Sequence, residues 1–376
     1  MKHGNVSGMR RGGFWAHERL SPDMASVSLA DLSVEIERRS ILDQISLDID
    51  DGTFAAVIGS SGTGKTTLLR AIAGLVAPVS GTVHFGGVDM TRVAPADRDI
   101  GMVFQTPALL PNRNVQRNVA FPLELRRETA DAIHDRVMSE VRAMHIEYLL
   151  RRNPVHLSRG EQQLVQIART MVRSPSVLLL DEPFAPLDAQ LRRKMRAEIR
   201  MLQRGYGVTT VMATNDPGDA MSLASLIIVL DGSPASVIQY GTPAELHDEP
   251  ATIDVASATG SLWTLPVRVE ADGDGFWLVH EDAVRLRSWA PALRSHLGGI
   301  VTLGVRTPHL VRDERGESTA ILRRVIPGPD RALLCAWGGR MVTATGSATA
   351  GDVGGPIRLR VARPVIFDAD NGRRIA

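Results

Sequence analysis

The chain has a single cysteine, Cys335, among 376 residues. No intrachain disulfide can staple it, which fits a reducing compartment. It has almost no net charge: 43 Lys+Arg stand against 42 Asp+Glu, a formal +1. That balance gives no general attraction to polyanions and no reason to expect a nucleic-acid partner. It also lacks long apolar runs. Val177–Leu180 and Leu226–Leu230 are short enough to be core strands, well short of the roughly 18 residues that read as a membrane helix. Any role at a membrane must therefore pass through a partner. The first 23 residues lack the apolar core of a signal peptide despite Arg10 and Arg11. They carry no periodicity and end in Ser21-Pro22-Asp23. The reading is a disordered extension over 1–23, with Met24 a candidate start. The competing reading is a tethering arm that uses Phe14 and Trp15. His280, His296 and His309 lack the spacing of metal ligands and read as packing or surface residues.

What is present begins with Gly59-Ser60-Ser61-Gly62-Thr63-Gly64-Lys65-Thr66-Thr67, which fits the phosphate-binding pattern G-x-x-x-x-G-K-[ST]. The context suits the motif: Phe54–Ile58 reads as a buried strand and Leu68–Ala73 as a helix. Glycines let backbone N–H groups approach phosphates, and the helix N-terminus adds partial positive charge. Lys65 supplies a point charge for the β- and γ-phosphates, and Thr66 a hydroxyl for Mg²⁺. The bland alternative is a glycine-rich turn that binds nothing. The context favours a nucleoside triphosphate.

The length allows two or three domains. Between Val27 and Phe85 short strands alternate with turns, and Asp51-Gly52 gives a hairpin signal. An antiparallel layer beside the phosphate-loop strand is expected. Arg98–Gln105 reads as a buried strand ending in polar Gln105, followed by a loop from Thr106 to Asn114. A helical stretch is expected from Leu125 to Leu150, where Ile133, Val137, Val141 and Met144 form one apolar stripe. Ser158 with Glu161 three residues on is a capping-box signature, and a well-capped helix is one full reading of Leu157–Glu161. Ser176–Leu180 is a continuous apolar run, as in a parallel strand buried on both faces. It ends in Asp181-Glu182, where ligands bind in open α/β sheets. Asp181 is placed to hold Mg²⁺ and Glu182 to polarise an attacking water; the alternative is an acidic helix cap. Beyond them, Leu191, Met195, Ile199 and Leu202 mark an amphipathic helix, and Val208–Ala213 and Leu226–Leu230 further strands. Residues 24–250 thus read as a mainly parallel α/β core with an antiparallel layer and a helical insertion at about 106–160. After a linker at Ala258–Ser261, residues 262–376 read as an all-β domain, expected to be one small barrel.

In order, the phosphate loop, Gln105, Leu157–Glu161, Asp181-Glu182 and Leu187-Asp188 resemble the ATPase subunit of ATP-binding-cassette transporters. The resemblance is close over about Met24–Pro250. It extends more weakly into the β region, where Val301–Arg306 resembles the family's C-terminal, OB-like barrel. Arg98–Gln105 together with that barrel points to the importer branch. Met195–Ile199 and Gly241–Leu246 look most like its carbohydrate group. The resemblance implies a homo- or heterodimer closing over two ATP molecules. Each site would join one phosphate loop to Ser158 and Gly160 of the facing subunit. It implies Glu182, Gln105 and Asn215 as catalytic positions, Thr66, Gln105 and Asp181 as the Mg²⁺ set, and a coupling surface at Ala108–Val115. It further implies two membrane-spanning permease subunits, an extracytoplasmic solute-binding protein, and a place on the cytoplasmic face of the membrane.

Several residues depart from the pattern. Asn215 stands where the family has His, and Asn carries neither proton nor positive charge. Ile36 stands near the usual adenine-stacking aromatic. Arg159 and Glu161 replace Gly and Gln, Leu164 replaces Arg, and Ala185-Pro186 replaces Ser-Asn. Two readings follow: an ATPase that energises an importer, or a degenerate nucleotide-binding subunit beside an active partner. The intact Lys65, Gln105, Asp181 and Glu182 favour the first.

Overall fold

The computed structural model describes residues 25–185, 187–280, 284–326 and 332–376. The expected extension at 1–23, Met24 and Pro186 lie outside the described residues. The chain opens with an antiparallel pair, β1 (Val27–Ile36) and β2 (Arg39–Ile49), followed by β3 (Phe54–Ile58) and α1 (Lys65–Ile72). β4 (Ser80–Phe85) and β5 (Val88–Asp89) extend the antiparallel side, and β6 (Ile100–Val103) runs up to Gln105. Helices α2 (Val115–Leu125), α3 (Ala130–Ala143) and α4 (Arg159–Met171) precede β7 (Val177–Asp181). α5 (Ala189–Tyr206), β8 (Thr209–Ala213), α6 (Pro217–Leu223), β9 (Leu226–Gly232) and β10 (Ala235–Gly241) complete the sheet, and α7 (Pro243–Asp248) and α8 (Ile253–Ala258) follow.

The sheet order is β5-β4-β1-β2-β10-β9-β3-β8-β7-β6. β9, β3, β8, β7 and β6 are parallel to one another, and β4, β1 and β2 are antiparallel. The parallel strands are buried on both faces. Phe54, Ala56 and Ile58 of β3 face one core with the later helices, while Ala55 and Val57 face the other with α1 and β1. That double burial is why these strands read as continuous apolar runs.

Two expectations are corrected here. The Asp51-Gly52 turn forms, with the Thr53 N–H donating to Asp50 O at 3.2 Å, but it makes no hairpin. β9 and β10 are inserted between β2 and β3, so that Ala55 of β3 pairs with Leu226 and Leu42 of β2 with Ala235, partners far along the chain. The helical stretch starts ten residues earlier than expected, at Val115, and is broken between Leu125 and Ala130. Asn114 caps α2 by accepting from the Arg117 N–H, and Thr129 restarts the run as the cap of α3. Ahead of α2, the loop is held by buried Asn118. Its side chain accepts from the Leu110 N–H and donates to the carbonyls of Leu110, Arg113 and Asn114.

The remaining strands are β11 (Leu262–Asp272), β12 (Gly275–His280), β13 (Val284–Ser288), β14 (Ile300–Arg306) and β15 (Leu310–Arg312), followed by β16 (Ser318–Ile326), β17 (Ala332–Trp337), β18 (Arg340–Thr345), β19 (Pro356–Val361) and β20 (Val365–Asp368). They form the small barrel expected, together with a second unit that the expectation lacked. One is an open sheet, β13-β12-β11-β14-β20, and the other a closed five-stranded barrel, β15-β18-β17-β16-β19. Both line one core, with Val269, Leu278 and Leu303 from the sheet and Leu322, Leu333 and Leu359 from the barrel. Cys335 lies in this core, and burial pushes its thiol up to about 11, so it stays neutral.

Arg306 joins the two halves. It is 3% exposed, and its Nε donates to His247 O at 3.2 Å and its Nη2 to Thr259 Oγ1 at 2.9 Å, both beyond its own strand. The C-terminal tail returns as well: Arg374 N–H donates to Ala251 O at 2.9 Å.

Candidate functional site

β3 delivers the phosphate loop to the carboxyl edge of the sheet. Gly59 and Gly64 are required there. Gly59 has φ of +155°, and a Cβ would lie 2.4 Å from Leu230 O. Gly64 has φ of +89°, caps α1, and a Cβ would meet Leu42 Cδ2 at 2.9 Å. The loop is tied internally, with Thr63 Oγ1 donating to Ser60 O at 2.6 Å and sharing a 2.9 Å hydroxyl contact with Ser60 Oγ. Ser60, Ser61 and Gly62 are exposed at its crest, and Thr67 lies half-buried on the first turn of α1. Lys65 arches back over the loop, its Nζ donating to Gly59 O at 2.9 Å and Ser60 O at 2.7 Å. Burial lowers the Lys65 pKa, while Glu182 and Asp181 pull it back up.

β7 brings up the carboxylates. Asp181, 5% exposed, accepts the Thr66 hydroxyl on Oδ1 at 2.9 Å. Its pKa is raised by burial, against the opposing pull of Thr66, Arg70 and Lys65. Glu182 sits at φ of +47°, a left-handed conformation that costs a non-glycine residue on the order of 1–3 kcal/mol. Its N–H donates to Ala213 O at 2.9 Å, which ties the end of β7 to the end of β8. Burial raises its pKa; the Asn215 backbone N–H against the carboxylate and Lys65 draw it down, and Asp181 and Asp219 push it further up. The charged form is therefore costly in both carboxylates, and cationic company stabilises it.

The structure brings together the phosphate loop, Thr66, Asp181, Glu182 and the backbone of Asn215. The Asn215 side chain is exposed. Gln105 is also exposed, just past β6; the preceding Phe104 carbonyl accepts from Gln166 Nε2 of α4 at 3.4 Å. Ser158 and Gly160 start α4. Among the described residues, no hydrogen bond or ion pair joins them to the phosphate loop of the same chain. The capping box is complete: Glu161 N–H donates to Ser158 Oγ, and both Ser158 N–H and Oγ donate to Glu161 Oε2 at 2.8 Å. Gly160 is buried against α5, where a Cβ would lie 2.2 Å from Leu191 Cδ2. Ile36 ends β1, 38% exposed.

Sequence reasoning missed the groups behind Glu182: Thr214, Asp219, Arg192 and Arg196. The only local signal was Asp216-Pro217, a helix start. It also missed Arg98, buried in donation to the carbonyls of Ala71 and Ile72 at the end of α1.

A strand, a glycine-rich loop with its lysine, and an acidic pair at the end of the parallel strand next but one, across β8, define an ATPase of the phosphate-loop class. The comparisons narrow the class. The ABC transporter family profile matches residues 42–185. The sn-glycerol-3-phosphate import ATP-binding protein UgpC of Ruegeria sp. (strain TM1040) is 36% identical over 367 residues, covering 94% of this chain and 100% of that one. The spermidine/putrescine import ATP-binding protein PotA of Marinobacter nauticus is 41% identical over 250 residues, 66% of each chain. Among solved structures, cbiO1 from Clostridium perfringens, part of the ABC transporter complex cbiONQ, aligns with a TM-score of 0.55 at 28% identity. That match covers 59% of this chain and 90% of the other. The chain belongs to the ATP-binding subunits of ABC importers.

Proposed function

We propose that the chain hydrolyses ATP with Glu182 as the base for the attacking water, and that this turnover drives uptake of sn-glycerol-3-phosphate or a related sugar-type solute. The observation that carries the proposal is the cluster of buried Lys65 and Asp181 with half-buried Thr66 and Glu182 at the carboxyl ends of β3 and β7. The Gly59–Thr67 loop would bind the phosphates through its backbone N–H groups and Lys65. Lys65 would leave its carbonyl partners for the phosphate, a stronger acceptor. The site residues suit a hard cation. The Thr66 hydroxyl and Asp181 carboxylate are oxygen donors 2.9 Å apart, and burial of Asp181 favours a cationic neighbour. Thr66, Asp181 and Gln105 would hold Mg²⁺, which when bound neutralises phosphate charge. Glu182, its pKa raised by burial against the opposing pull of the Asn215 N–H and Lys65, would accept the proton of water.

The chain would act as a dimer, each phosphate loop facing Ser158 and Gly160 of the second subunit. ATP would favour the closed dimer, and hydrolysis would reset it. No helix among the described residues is long and apolar enough to cross a membrane. The chain would therefore sit on the cytoplasmic face through two permease subunits, which receive solute from an extracytoplasmic binding protein. The clamped Leu110–Asn114 loop is the docking surface this reading favours.

A second reading, a nearly inactive nucleotide-binding subunit, draws on one observation. The Ser158 hydroxyl is donated into Glu161, so a phosphate would have to compete for it. Turnover of the chain with its permease, beside Glu182→Gln and Glu161→Gln, separates the two. The ATPase reading expects Glu182→Gln to lower turnover by roughly 10²–10³ while ATP still binds. Background turnover in wild type, restored by Glu161→Gln, selects the second reading.

A further inference from the structure

Behind Glu182 lies a side-chain network that none of the steps above uses. Thr214 follows β8 and is 2% exposed. Its hydroxyl accepts from the Asp216 N–H at 3.1 Å and donates to Asp219 Oδ2 at 3.3 Å. Asp219, also 2% exposed, accepts Arg196 Nε on Oδ1 at 2.5 Å and pairs with Arg196 Nη2 as well. Arg196 Nη2 lies 3.7 Å from Asp216 Oδ1. One turn earlier on α5, Arg192 pairs with Asp216 Oδ2 and its Nη2 donates to the Leu187 carbonyl at 3.5 Å. The loop from Thr214 to Asp219 is thus fastened to α5 at two points, and the same helix holds the segment that follows Glu182.

Starting α6 does not require this. Asp216 alone caps that helix, its Oδ1 accepting from the N–H groups of Gly218 at 2.7 Å and Asp219 at 3.3 Å. Burying a second carboxylate with an arginine costs desolvation that an apolar pair would avoid, and its return is fixed geometry. What the geometry fixes is the backbone beside Glu182: Ala213 O accepts the Glu182 N–H at 2.9 Å, and Asn215 is the next residue but one.

We propose that Thr214, Asp219 and Arg196 are positioning residues for ATP hydrolysis, setting the backbone at Asn215 against Glu182 and linking it through α5 to the Leu187 segment. On this inference, which rests on the hydrolytic reading above, residue 215 serves Glu182 through its backbone. That function is independent of whether the side chain is Asn or His.

Thr214→Val removes the hydroxyl while keeping shape and charge, and Thr214→Ser restores it. In the chain assembled with its permease, Thr214→Val is expected to lower kcat on the order of 10- to 100-fold, as for a small misplacement of a reacting group. KM for ATP stays within about twofold, since the phosphate loop is untouched. Thr214→Ser returns kcat most of the way. Amide hydrogen exchange supplies a readout that needs no turnover: Asn215 exchanges faster in Thr214→Val and at the wild-type rate in Thr214→Ser. Unchanged kcat and exchange in Thr214→Val overturn the proposal. So does a fall in ATP affinity and melting temperature that matches the fall in kcat. If wild type itself does not hydrolyse ATP, the proposed function fails, and the exchange rates alone decide the positioning.

Discussion

The phosphate-loop end of the site and the start of α4 are built on opposite terms. At the first, little is at rest. Glu182 is held at positive φ, Lys65 spends its charge on two carbonyls, and burial raises the pKa of both carboxylates. At the second, Ser158 and Glu161 satisfy one another completely and Gly160 packs on Leu191. Backbone strain and desolvated charge at one end are a reserve that a bound nucleotide can draw on. The other end has no such reserve, so any affinity it offers a second subunit must first break bonds it already has.

The largest effect that sharpens this contrast concerns Gly160. Gly160→Ala should lower stability by about 1–3 kcal/mol through overpacking against Leu191, measured by denaturant melts. Gly160→Ala with Leu191→Ala should recover most of the loss beyond what Leu191→Ala costs alone. Failure to recover it would mean that the glycine is not there for the α4–α5 contact. Next comes Gln163 on α4, fully buried with neither side-chain polar atom hydrogen-bonded among the described residues. Gln163→Met should raise stability by roughly 1–2 kcal/mol, because an unsatisfied amide is replaced by an apolar chain of similar length. A destabilised Gln163→Met would show that the amide has a partner in solution.

A smaller effect is expected at Glu182. Its folded-state pKa lies above the ordinary value. The folded protein then holds the proton longer than the unfolded chain, and stability falls as pH rises from the ordinary pKa through the raised one. Glu182→Gln should therefore raise the melting temperature at neutral pH, with the gain vanishing below about pH 4. Smallest is His309, half-buried beside His247 at the seam between the halves. Its pKa is lowered from 6.5 by burial, then by His247, Arg363 and Arg306, with Asp248 opposing. Protons bind the unfolded chain first, so stability should fall as pH drops below about 6.5. His309→Asn should flatten that part of a melting-temperature profile against pH.

How much of this was legible follows from how local each feature is. The phosphate loop, the Ser158–Glu161 box and the apolar runs of β7 and β9 are written within a few residues, and propensity and pairing agree there. The failed hairpin at Asp51-Gly52 had a correct turn, but strands from the far end of the core fill the gap. The β region showed its strand character, since residues 262–376 read as all-β. It did not show its pairings, because closing a barrel requires β15 to meet both β18 and β19. The network behind Glu182 was invisible for the same reason: Arg196 and Asp219 are 23 positions apart and meet only after β8 returns.

Arg306 carries a mechanical consequence. Its guanidinium is sealed between β14 and the helices after the sheet, and its Nη1 has no hydrogen-bond partner among the described residues. Sliding one half past the other would strand a dry positive charge, an outcome that costs several kcal/mol. The seam therefore behaves like a keyed joint without play: it transmits torque whole or comes apart, and it does not creep.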